Sequence, residues 1–240
     1  MGDDHRRPWQ REGVLFFGDV IAGLSHELSN VFNIINEMAG LQQDILAGAQ
    51  PKSADAADRL SELAGRIKAQ VERGETLNQS LHSLAHSVDD ANIAFDLGDT
   101  LELVSSLAAR RARLARVELV VHRPESPVTL EGDPFVLLLT IYESIVAVVG
   151  AADSERRVEV SAAQHDSGAQ VFITSADPLP PGVADEIAAL EIGHLSWGAV
   201  HTLDPPFPEP PGRIILDVPA VAPALNAPAD EEGQEDPDGN

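Results

Sequence analysis

From Gly13 to about Ala47 the apolar positions Phe17, Val20, Leu24, Leu28, Val31, Ile35, Met38 and Ile45 recur every three or four residues. This spacing predicts one long amphipathic helix, roughly 50 Å at 1.5 Å per residue. The stretch GAQPKS (48–53) ends it with glycine and proline, and Ser53 is placed to cap the next helix. That second helix, from about Ala54 to Val88, repeats with a heptad period. Leu60, Ile67, Gly74, Leu81 and Val88 form one column, and Leu63, Gln70 or Val71, Leu77 and Leu84 the other. A tight turn makes the two helices antiparallel. The hairpin cannot bury both its seams alone, so a second copy is expected to complete a four-helix bundle, giving a homodimer.

Past Asp90 the period changes. The pattern predicts a short strand (Ile93 to Leu97), a helix (Asp99 to about Leu114) and the strand VELVVH (117–122). Then come a helix from Asp133 to about Val149, strands RVEVSA (157–162) and AQVFITS (169–175), a short helix DEIAAL (185–190) and a last strand RIILDVP (213–219). Elements in this order suggest a small α/β sandwich with helices on one face, so the chain as a whole is α+β. Leu103, Leu107, Leu137, Leu138 and Ile141 are its expected core. The expected organisation is a flexible N-terminus (1–12), a helical hairpin (13–89), the sandwich (90–219) and a disordered acidic tail (220–240) with no basic residue.

Composition narrows the function. With 43% hydrophobic residues the chain of 240 can bury a real core, and 4% aromatic content with abundant Ala and Leu favours helix packing. A net charge of −23 repels phosphate backbones and anionic lipid, so neither nucleic acid nor membrane is expected as a partner. There is no cysteine, the start MGDDHRRPWQRE lacks the apolar core of a secretory signal, and no uncharged apolar run reaches the roughly 20 residues of a bilayer span. A cytoplasmic protein is expected.

The candidate chemistry sits in LSHELSN (24–30), where His26 and Glu27 interrupt the apolar pattern and Asn30 follows one turn on. His26 can be an inert surface residue, a metal ligand or a nucleophile. A nucleophilic imidazole needs solvent access, a neutral ring and a neighbour that fixes its tautomer. Asn30 shares its face, whereas Glu27 is about 100° round the helix. His82 and His86 have a chelating spacing but fall outward without a third ligand, so solvated surface is the better reading. RRARLAR (110–116) places arginines at a helix C-terminus, where the macrodipole alone accounts for them.

GLSHELSN, followed by an α/β domain, resembles the core of bacterial sensor histidine kinases, a dimerisation and phosphotransfer hairpin joined to an ATP-binding domain. FDLGDTLELVSSLAARRARLARVELVV (95–121) is similar to the opening strand, first helix and second strand of that domain. The resemblance spans 13–219 and implies His26 as the phosphorylated residue, Glu27 as the acid that orients its ring, and Asn30 as the residue handling a phosphatase water. Val31 stands where the family often has a kinking proline.

The nucleotide motifs depart from the family. In GDPFVLLLTIYESIVAVV, Glu143 falls at the polarising position and Ala147 at the magnesium position, where a methyl offers no ligand. Asp177 stands near the expected adenine contact, but prolines replace the glycines around it. Between Ile192 and Pro211 there is no Gly-x-Gly-x-Gly lid, and Trp197 and Phe207 are candidates to plug the site or meet a partner. ATP binding is therefore not expected, and magnesium is expected to come from the partner. The resemblance points to a histidine phosphotransfer protein that relays phosphoryl groups between His26 and the aspartates of response-regulator receiver domains. A non-enzymatic dimeric interaction module is the alternative, and an active kinase with a divergent ATP site is the third.

Overall fold

The computed structural model describes residues 7–48, 54–90, 92–152, 156–165, 168–176, 178–180, 182–183, 200–202 and 212–221. Ser53, Asp177, Trp197, Phe207, the expected helix 185–190, and all of the expected lid except 200–202 lie outside them, as does the tail beyond Val221. The described chain is α+β, with the order α1 (Arg7–Ala47), α2 (Ala54–His86), β1 (Ile93–Asp96), α3 (Leu97–Ala115), β2 (Glu118–Val121), β3 (Thr129–Gly132), α4 (Pro134–Ala151), β4 (Arg157–His165), β5 (Gly168–Ser175), β6 (Val200–Thr202) and β7 (Gly212–Pro219).

α1 and α2 pack as the expected antiparallel hairpin. Val31, Met38, Leu63 and Leu84 are buried in it, with Leu60, Ile67, Gly74, Leu77 and Leu81 half-buried. The helices come close at Gly74, where a Cβ would sit 3.5 Å from Val31 Cγ1. Of the two candidates for one heptad position, Gln70 faces inward and Val71 is 45% exposed. Val88 does not extend its column, because α2 ends at His86 and the chain turns away.

Among the described residues, the second half is built on a five-stranded mixed sheet of order β2-β4-β5-β7-β6. β2 and β4 are parallel, as two strands bridged by a crossover through α4 should be, and the remaining pairs are antiparallel. Two strands escape the hydrophobic pattern because each holds a single large apolar residue: β6, and β3, which pairs with β1 in a separate antiparallel ribbon. Asp96 ties this ribbon to α3, which it caps: Oδ1 accepts from Asp99 N at 3.2 Å and Oδ2 from Val128 N at 3.1 Å. Asp133 caps α4, with Pro134 in the first turn. α3 ends where Arg116 takes a left-handed conformation.

α4 is apolar almost all round, long and apolar enough by length and composition to cross a membrane, yet 61% of it is buried inside the protein. It is a core helix. Leu137, Leu138, Ile141 and Ile145 pack with Val158, Val171, Ile173 and Ile214 of the sheet, and Leu101 and Val104 of α3 join them. Leu107 is buried as expected, whereas Leu103 is only partly so.

The same cluster runs on into the hairpin, taking in Phe16, Val20, Leu24 and Leu84. Phe16 of α1 meets Phe135 edge-on at 5.8 Å and Tyr142 at 4.9 Å, both on α4. The Ser80 and Ser106 hydroxyls, 2.6 Å apart, join α2 to α3. Hairpin and sandwich share one hydrophobic core.

Candidate functional site

His26 lies on the surface of α1 and is exposed, as is Asn30 one turn further on. Between them Ser29 Oγ donates to Ser25 O at 2.9 Å, a local bond that leaves the helix unbroken through Val31. The imidazole makes no hydrogen bond or ion pair among the described residues. Its ring is therefore open to a reactant.

Glu27 behaves differently. It is 7% exposed, and its carboxylate accepts from Arg73 Nη2 of α2 and, at 2.8 Å, from Arg113 Nη1 of α3. One residue thus joins three helices. Burial by itself pushes the carboxyl up, but the hydrogen bond and charge of Arg113, followed by those of Arg73, hold it below the ordinary carboxylate value. In this arrangement the carboxylate is committed to the two arginines, and no hydrogen bond joins it to the His26 ring.

About two turns toward the N-terminus, Asp19 accepts from Arg111 Nη2 at 2.8 Å, and Arg111 also reaches the Tyr142 phenol. Burial raises the Tyr142 pKa and Asp19 raises it further, against the opposing Arg111. A cleft of about 240 Å³ lies between α1, α2 and α3 here, and Arg73, Arg110, Arg111 and Arg113 all line it. The macrodipole reading of RRARLAR was thus incomplete, since two of its arginines hold α3 against α1. The sequence signal was Glu27 itself, because an acid in register with the apolar positions Leu24 and Val31 needs a cation.

The expected nucleotide positions fall on α4. Glu143 is half-exposed, and Ala147, one turn later, is partly buried against the core. The Ala147 methyl supplies no oxygen for magnesium. On α2, the exposed His82 and His86 rings meet edge-on at 4.3 Å, and His86 Nδ1 lies 2.6 Å from Asp89 Oδ2. Among the described residues no group of three or more His, Asp or Glu is placed to hold a metal ion.

No family model matches the chain, and no curated protein matches it. Solved structures are similar to it at low identity. The nucleotide-free catalytic domain of histidine kinase ThkA matches 55% of this chain over 99% of its own, with 11% identity and a TM-score of 0.44. The complex of ThkA with the response regulator protein TrrA matches 90% of this chain over 65% of that chain, with 12% identity and a TM-score of 0.44. The Acinetobacter baumannii histidine kinase AdeS matches 80% over 98%, with 16% identity and a TM-score of 0.39. Similarity at this distance carries no chemistry over to the chain, whose own residues must supply the argument.

Proposed function

We propose that this chain is a histidine phosphotransfer protein of a two-component phosphorelay, working in the cytoplasm as a homodimer. The observation that carries the reading is a contrast: His26 stands open to solvent in the LSHELSN box, while the position at which the family resemblance expects a magnesium ligand is Ala147. A chain that can accept a phosphoryl group but lacks the means to take it from ATP must receive it from another protein. The aspartyl phosphate of a receiver domain has the right chemistry.

In that reaction the lone pair of His26 Nε2 attacks phosphorus. The N–P bond forms as the P–O bond to the receiver's aspartate breaks, the carboxylate leaves with the electron pair, and the ring proton on Nδ1 passes to solvent. The receiver supplies the magnesium that neutralises its phosphoryl oxygens. Glu27 is one residue away, and release from Arg113 would free it to hold Nδ1–H. Asn30 would orient the water when the phosphohistidine is hydrolysed. Dimerisation is supported by a second apolar stripe on α1, formed by Val14, Ile21, Leu28, Phe32 and Ile35, which α2 leaves uncovered enough that Phe32 is 60% exposed.

One observation favours the interaction-module reading, namely that Glu27 is already engaged by two arginines. A single experiment separates the readings. Purified protein is incubated with labelled ATP and magnesium, then with a phosphorylated receiver, comparing wild type with His26→Gln. Label taken only from the receiver, and only with His26 present, is the expected result. Label from ATP alone would mean an active kinase, and no label in either case would leave an interaction module.

A further inference from the structure

We infer that Arg110 is the phosphoryl-binding cation of the His26 site, an inference that rests on the phosphotransfer reading. At about 100° per residue, Asp19, Gly23, His26 and Asn30 fall within about 60° of one another on α1, while Glu27 lies about 100° from His26. α3 runs along this strip. Arg111 holds Asp19, Arg113 holds Glu27, and Arg110 stands between them on Gly23. A Cβ at Gly23 would lie 3.5 Å from Arg110 Cδ and 3.8 Å from its Nη1. Helical side chains lean toward the N-terminus, so the His26 imidazole covers the turn containing Gly23, and a phosphoryl group on it would be carried toward Arg110.

Charge supports the assignment. Arg73, Arg111 and Arg113 each meet a carboxylate, whereas Arg110 meets none among the described residues. A half-buried guanidinium without a counter-ion, in a protein of net charge −23, is suited to an anion that arrives during function. A phosphoryl group in transfer spreads negative charge over three oxygens, and the guanidinium fork can meet two of them without itself taking or giving a proton. Arg110 adds no bond to the reaction. It holds the charge where the N–P bond forms.

The test compares wild type, Arg110→Ala, Arg110→Lys and His26→Gln, with two donors: a phosphorylated receiver and the small donor phosphoramidate. Removing one donor group from an enclosed site costs about 10²–10³ in rate, and for this half-open site roughly 10- to 100-fold is expected for Arg110→Ala. The loss should occur with both donors, with receiver affinity and thermal midpoint unchanged, and Arg110→Lys should recover much of the rate. Wild-type rates in Arg110→Ala would overturn the inference and leave the phosphotransfer reading intact. A loss confined to the receiver would also overturn it, because Arg110 would then touch the partner instead of the phosphoryl group. Absence of His26-dependent label in wild type with either donor would overturn both.

Discussion

Glu27 shows how far one side chain's neighbours decide its role. A carboxylate whose folded pKa lies below its ordinary 4.5 contributes stability that is fully present above that value and lost as pH falls through the folded one. Wild type should therefore lose stability below about pH 4.5 more steeply than Glu27→Gln, as acid titration of the urea midpoint would record. The partners are not equivalent in the reverse direction. Arg113 and Arg73 are substantially exposed and water can compensate their loss of Glu27, but the carboxylate is buried. Removing both arginines strands it, so Arg73→Ala with Arg113→Ala should cost more than Glu27→Gln. The expected costs lie between the roughly 0–1 kcal/mol of an exposed pair and the roughly 3–5 kcal/mol of breaking a buried one. Thermal unfolding of the three variants checks the order.

α1 carries three kinds of surface at once. Its buried stripe is divided along its length, packing on α3 and α4 through Phe16, Val20 and Leu24 and on α2 through Val31 and Met38, while His26 lies on the exposed side. The periodicity of α1 was plain in the sequence, as was the box it carries. The division of its apolar positions among three neighbours was not, because a stripe at helical spacing records burial without naming what covers it. Phe16 was left out of the expected face, yet it is the residue set between Phe135 and Tyr142. Phe16→Ala should cost about 3–5 kcal/mol, as for other buried aromatics. It should also raise the susceptibility of α1 to proteolysis under native conditions, since the clamp at Glu27 would then hold the two halves with less help.

For the assembled protein, the uncovered stripe around Phe32 and the shared core set opposite tendencies. The stripe favours a second copy, while the core fixes the sandwich on its own hairpin. Phe32→Glu places a charge in the middle of the stripe and should convert a dimer to a monomer, as measured by light scattering on a sizing column, with the helical content of the monomer retained. If the wild type is itself a monomer at micromolar concentration, the bundle fails. A sandwich held by Phe16, Asp19, Ser80 and Glu27 is also poorly placed to swing toward His26, which suits a protein that receives its phosphoryl group from outside.

Local periodicity was sufficient to set α1, α2, α3, α4 and the longer strands, because each depends on a repeat of side chains read within a few turns or pleats. His26, Glu27 and Asn30 could be singled out together because they lie within five residues of one another. β3 and β6 were not legible, since TLEG and VHT each hold a single large apolar residue and so show no alternation to read. Nor were the pairings of Glu27 with Arg73 and Arg113 or of Asp19 with Arg111, which lie 46, 86 and 92 residues apart and exist only because α3 packs across α1. Residue types limit what chemistry a chain can attempt, but the partner of each charge is chosen by packing, and packing belongs to the folded molecule.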